Sequence, residues 1–165
     1  MATIPEPKVI APGESRTVQL YGVRFDYKVE GGDSGGTLAL LEVEIPPGTL
    51  VKPHNHTRED EFSLVLAGTV GVRIGERVLE AGAGASLVKP RGTPHAMWNA
   101  DGAPARVLEI VSPAGLEAYF EELGPILRHE GGAGRPEYDA LAERYGIIIQ
   151  DDWIEELERI YGVKL

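Results

Sequence analysis

Four side chains with metal-binding chemistry fall at spacings that only a folded sheet can bring to one point. His54 and His56 are separated by a single residue, Glu61 follows shortly after, and His95 comes much later. Three of the chain's 4 histidines therefore lie in two short stretches. Imidazole and carboxylate together form a mixed N/O donor set that suits a first-row divalent metal. Along a strand, side chains two apart share a face, so His54 and His56 present both rings to one side while Asn55 faces away. Glu61 must then arrive from the next strand, because polar residues 57–60 read as a turn and residues 62–66 as an apolar strand. His95 follows the Pro/Gly turn of residues 89–94. A site drawn from three strands requires the interior of a closed or nearly closed sheet.

The rest of the chain is consistent with such a sheet. Apolar and charged residues alternate over Val23–Val29, as in a strand with one face buried. Residues 30–36 turn the chain, and residues 37–45 read as the next strand. Residues 70–74 and 77–79 flank Gly75-Glu76, a dipeptide suited to a two-residue hairpin. Residues 86–89, 96–100 and 105–111 complete a series of short strands between Gly/Pro turns, the pattern of an antiparallel barrel. After Ser112-Pro113 the period changes. Leu116, Tyr119, Phe120 and Leu123 fall at helical spacing, and Gly124-Pro125 is expected to stop that helix. Pro136 opens a second helix carrying Tyr138, Leu141, Ala142 and Tyr145, with Gly146 at its end. Asp151 or Asp152 can cap a third over residues 153–161, ended by Gly162. The glycine-rich residues 130–134 read as a linker. The expected organisation is thus a barrel over residues 1–112 and a helical extension over residues 113–165, packed on the barrel or at a subunit interface.

The fixed positions around the ligands resemble those of a known superfamily. Gly48, His54, His56, Glu61 and Gly68 reproduce the first cupin motif, and Gly84, Pro90, Gly92, His95 and Asn99 the second. At roughly one chance in twenty per position, so complete a match is not coincidence. The resemblance implies an all-β, cupin-type antiparallel barrel (double-stranded β-helix or jelly roll) with one divalent metal, Fe, Mn, Ni, Co, Cu or Zn, held by His54, His56, Glu61 and His95. Glu61 is preferred to Glu59 and Asp60 because only Glu61 has the motif's spacing to Gly68. Pro90, Gly92 and Asn99 shape the turn and strand. Met97 should share the inward face of His95, and with Ser63 and Val65 it is a candidate for lining a substrate pocket. His129 fits no motif and reads as a solvated residue.

Composition excludes several function classes. With 165 residues and 42% hydrophobic content the chain can bury the core of one ordinary domain. It has no cysteine, so neither disulfides nor thiolate metal sites can form. A net charge of −10 argues against nucleic acid; from Pro113 onward there are twelve acidic and five basic residues, consistent with a solvated outer face. No apolar run approaches a membrane span and the N-terminus lacks a signal-peptide pattern, so a soluble, cytoplasmic protein is expected.

The resemblance extends to function. The stretch from Leu141 to Gly146 is similar to the helical ends of short bacterial cupins described as quercetinase-like. This implies a metal-dependent dioxygenase acting on a small enolisable or phenolic substrate, with Glu61 as a ligand or as the general base. A small-molecule-binding or sensing cupin and a metal-dependent isomerase or cyclase are the alternatives. A sugar-phosphate isomerase would need basic residues facing the cavity, and the sequence pattern assigns none of Lys52, Arg73, Lys89 and Arg91 there. The first 20 residues could add edge strands to their own barrel or to a neighbour's, and a homodimer is expected.

Overall fold

A computed structural model describes residues 6–130 and 136–165. Most of the expected linker and the side chain of His129 lie outside the described residues. In chain order the elements are β1 (Arg16–Leu20), β2 (Val23–Val29), the single turn α1 (Gly31–Ser34), β3 (Ala39–Ile45), β4 (Thr49–His56), β5 (Asp60–Ala67), β6 (Thr69–Ile74) and β7 (Arg77–Gly82). They continue with β8 (Ser86–Lys89), β9 (His95–Asn99), β10 (Ala105–Ser112), α2 (Glu117–Glu130), α3 (Pro136–Tyr145), β11 (Ile147–Ile149) and α4 (Asp152–Tyr161).

The strands form two antiparallel sheets, ordered β1-β2-β3-β10-β5-β8 and β11-β4-β9-β6-β7. Alternation decides which residues fill the space between them. In β3, Ala39, Leu41, Val43 and Ile45 point inward, and in β2 Val23, Phe25 and Tyr27 do so while Arg24 is exposed. Gly75-Glu76 joins β6 to β7 as a two-residue hairpin, as its sequence requires. Of the N-terminal segment, residues 16–20 pair with β2 of the same chain, whereas Val9 is 90% exposed.

The helical tail is built into this barrel at three levels. Leu116, Tyr119, Leu123, Tyr138, Leu141 and Ala142 belong to the same buried cluster as the barrel residues. A separate cluster forms on the other side of the second sheet, where Trp153, Leu157 and Val163 pack on Leu50, Ala96 and Trp98. This second layer explains why β9 is buried along its whole length: His95, Met97 and Asn99 face inward while Ala96 and Trp98 lie under α4. The tail also supplies β11, whose Ile147 and Ile149 pair with His56 and His54. That strand is three residues long, too short for a periodicity to register, although its isoleucines favour extended backbone.

One helix departs from the sequence expectation. Instead of stopping at Gly124-Pro125, α2 runs through Pro125 to Glu130. A proline deprives the carbonyl four residues earlier of its partner. Here that residue, Glu121, and Pro125 itself are on the exposed side, where water can take the lost hydrogen bond, and Leu123 holds the opposite side in the core.

Gly71 is a fixed point of the packing. A Cβ there would stand 2.2 Å from the Trp98 indole, and Trp98 cannot retreat because Tyr161 stacks on it at 4.4 Å. Gly71→Ala should therefore lower stability by about 1–3 kcal/mol, the usual cost of overpacking a filled core. Urea unfolding will show this as a lower midpoint; an unchanged midpoint would mean that the α4 layer is loosely packed.

Candidate metal centre

Pairing of β4 with β9 sets His54 directly opposite His95, after a register shift between Val51 and His54. The shift coincides with Pro53, whose missing N–H removes one ladder donor and whose carbonyl instead accepts from Gln150 N. Asn55 points away and accepts a hydrogen bond from the Gln150 side chain. The turn before β9 is tied to the end of β4 by Gly92 N donating to His56 O at 2.6 Å. Asn99 Nδ2 donates to Ile45 O and Ala103 O, so Gly92 and Asn99 brace backbone. Glu61 enters from β5 in the facing sheet.

These constraints bring one ligand atom each from His54, His56, Glu61 and His95 within 4.8 Å of one another. The hydrogen bonds fix which imidazole nitrogens are free. His54 Nδ1 lies 2.6 Å from Lys52 O and His95 Nδ1 lies 3.1 Å from Thr93 O. Each Nδ1 therefore carries the proton and donates it to a carbonyl, leaving Nε2 with an open lone pair, as metal-ligating histidines require. The freed atoms converge: His54 Nε2 is 3.0 Å from His56 Nε2, and His95 Nε2 is 3.0 Å from Glu61 Oε2. His95 Nε2 is buried without a hydrogen-bond partner, and so is His56 Nδ1. Burial, followed by the neighbouring histidines, holds His54 well below its ordinary pKa. Burial also lowers His56 to about 4 against the pull of Glu61. Both rings are consequently neutral at pH 7, the form that binds metal. Converging lone pairs, an orphaned ring nitrogen and a carboxylate are what a divalent cation would satisfy, and the residues fit such an ion.

Sequence reasoning missed the polar support behind Glu61. Lys89 is buried, with Nζ 3.1 Å from Glu61 Oε2 and 2.9 Å from Glu109 Oε2. Ser63 Oγ donates to Glu109 at 2.9 and 3.0 Å. Burial alone would raise Glu61, but Lys89 first, then His56 and His95, outweigh it and keep the carboxyl well below its ordinary range. With His54 and His56 neutral, Lys89 is the cation that keeps Glu61 ionised. Burial raises Glu109, only partly offset by Lys89. The signal for both residues was present in the strand phase. Lys89 sits two after buried Leu87 in β8, and Glu109 falls between buried Val107 and Val111 in β10. A charge in the apolar phase of a strand needs a partner, and these are partners of each other.

The basic residues thus correct the sequence expectation. Lys89 faces the barrel interior, whereas Lys52 turns to the helical tail, with Nζ 4.4 Å above the Tyr138 ring and 3.6 Å from Asp151 Oδ1. Arg73 lies outside, over Trp153 and beside Glu156, and Arg91 pairs with Asp60 at the surface. Glu59 is buried, and its nearest oxygen is 3.9 Å from His56 Nδ1.

A cavity with ≈ 560 Å³ of empty space opens on His54, Glu61 and His95. Its other walls are Lys89, Glu109 and a set of apolar residues that includes Phe25, Val51, Met97 and Phe120. Among the pocket candidates, Met97 lines this cavity, Ser63 reaches it only through Glu109, and Val65 is buried in the main core.

Comparison with known proteins agrees with this geometry. Residues 41–111 match the family model described as a cupin domain. Germin-like protein 3-1 of Oryza sativa subsp. japonica is 36% identical over 85 residues, 47% of this chain and 37% of that protein. An Arabidopsis thaliana germin-like protein, subfamily T member 2, is 35% identical over 78 residues, 43% of this chain and 34% of that one. The matched stretch thus spans little more than a third of these curated relatives' length. Among solved structures, KdgF from a Halomonas species superposes with a TM-score of 0.60 at 18% identity, covering 68% of this chain and 99% of that one. A Thermotoga maritima protein described as a predicted oxalate decarboxylase gives 0.61 at 17%, covering 64% and 99%. These structural likenesses are to the fold. Residues 41–111 thus carry the similarity to a cupin domain, and the solved structures share the double-stranded β-helix fold.

Proposed function

We propose that the protein is a metal-dependent oxygenase acting on a small phenolic or enolisable substrate. The observation that carries this reading is an N₃O donor cluster opening onto a cavity whose remaining walls are mostly aromatic and aliphatic. His54, His56, His95 and Glu61 would hold one first-row divalent ion. Four protein donors on an ion that takes six leave room for substrate and dioxygen, and such an ion supplies Lewis acidity and, where it is redox-active, electron transfer.

The chain's own residues have separable tasks in this scheme. Carbonyl acceptors at Lys52 and Thr93 hold two of the imidazoles in the ligating tautomer. Glu61 lines the cavity, so its carboxylate is placed to accept the proton of a substrate hydroxyl. Lys89 stabilises that carboxylate before the proton arrives. Phe25, Met97 and Phe120 exclude water and favour a flat apolar ligand over a small dianion such as oxalate. A sugar-phosphate isomerase is disfavoured for a related reason: the cationic side chain directly beside Glu61, Lys89, is occupied by two carboxylates and is not free to bind phosphate. The reading also includes a cytoplasmic homodimer, for which light scattering on the purified protein is the direct check.

Elemental mass spectrometry of untagged protein should find about one equivalent of Fe, Mn, Ni, Co or Cu, with oxygen uptake on flavonols, catechols or diketones. The double variant His54→Ala/His56→Ala should lose both metal and uptake. Metal retention by that variant would place the ion elsewhere. Stoichiometric zinc without uptake would favour a structural or ligand-binding site. Glu61→Gln should keep much of the metal and lose turnover; full activity would remove Glu61 from proton transfer. Lys89→Met should destabilise the fold by about 3–5 kcal/mol, since it strands two buried carboxylates. Adding Glu109→Leu should recover much of that loss, and a Lys89→Met protein as stable as the parent in urea would contradict the ion-pair account.

A further inference from the structure

A second cavity, with ≈ 570 Å³ of empty space, lies between the barrel and the helical tail. It shares His54, Val51, Phe25 and Phe120 with the barrel cavity, so the two adjoin, and the stacked pair Phe25–Phe120 (4.6 Å) forms part of both walls. Tyr21, Tyr119 and Tyr138 are also among its walls. This is the composition of a small-molecule site, apolar walls with a few polar groups.

Tyr21 bears two costs at that position. It is the first residue of the two-residue turn between β1 and β2, and its φ of 50° with Gly22 at 82° gives the positive-φ geometry of a type I′ hairpin. Asparagine or glycine takes that conformation at little cost, whereas a bulky aromatic there is strained. Its hydroxyl is also buried with no hydrogen-bond partner, a further penalty. The neighbouring phenols Tyr119 and Tyr138 do not relieve it, since neither hydrogen-bonds the Tyr21 hydroxyl. Lys52, with Nζ over the Tyr138 ring and 3.6 Å from Asp151 Oδ1, is engaged. Two local costs at one residue that lines a cavity beside the histidine cluster are explained by a ligand that uses the hydroxyl.

We propose that this vestibule receives the distal ring of a planar polyphenol, whose oxygen substituent hydrogen-bonds the Tyr21 hydroxyl while the chelating end of the molecule lies at the histidine cluster. The substrate class rests on the oxygenase reading; the site itself rests on Tyr21 and the shared walls. Phe25 and Phe120 offer ring faces to the middle of such a molecule, and Tyr21 discriminates among substituents at its far end.

The test compares two flavonols, kaempferol, with one hydroxyl on its pendant ring, and galangin, with none, on parent protein and on Tyr21→Phe. Binding is followed by titration calorimetry and turnover by oxygen uptake. The parent should bind kaempferol about tenfold more tightly than galangin, and Tyr21→Phe should remove that preference by weakening kaempferol alone. Ligand-free Tyr21→Phe should melt at a higher temperature than the parent, because an unpaired buried hydroxyl is gone; the same or a lower melting temperature would contradict the orphaned-hydroxyl argument. Equal discrimination in both proteins, or binding of neither flavonol, overturns the proposal. Oxygen uptake on both flavonols without a Tyr21 effect would leave the oxygenase reading standing and remove the vestibule. The Tyr21-dependent preference without oxygen uptake would do the reverse.

Discussion

The pairing of β4 with β9 is the constraint on which the rest of the site depends. It sets His54 opposite His95, and the strand period brings His56 to the same face. A slip of one residue would turn these imidazoles to the other side. The register is protected on several sides: β11 pairs with the histidine-bearing end of β4, α4 covers the outer face of β9, and Gly92 N ties the turn before His95 to His56 O. The tail therefore contributes to the site itself. It holds the strand that carries two of the four donors.

Burying this donor set creates an electrostatic problem that the barrel answers with charge pairing. Glu61 and Glu109 share one ammonium, Lys89, among neutral imidazoles. If both carboxylates are ionised the cluster carries a net negative charge, and a divalent cation would offset it. Ser63 secures Glu109, Glu109 secures Lys89, and Lys89 secures Glu61. Such a chain positions a carboxylate well, at the expense of tolerance to substitution.

What was legible in the sequence followed strong local signals. The strand period exposed the inward faces of β2 and the ligand pair on β4, the Gly/Pro punctuation marked the turns, helical spacing identified the stripes of α2 and α3, and the aspartates before Trp153 with Gly162 bracketed α4. The four donors were readable because their residue types and spacings are themselves the chemistry. Less visible was whatever depended on partners distant in sequence. Lys89 and Glu109 are 20 residues apart and gain meaning only when β8 and β10 are placed on either side of β5. Pro125 reads as a helix stop until its exposed position shows that water can take the lost bond. The three residues of β11 carry no period, and Tyr21 looks like an ordinary turn residue until its hydroxyl is found buried and unpaired.

X-ray absorption at the edge of the metal bound by reconstituted protein tests the central claim most directly. Three imidazoles and a carboxylate in one shell, with imidazole multiple scattering that falls when His95 is replaced by alanine, is the result this account predicts. A shell without imidazole scattering, or one unchanged by that substitution, would contradict it.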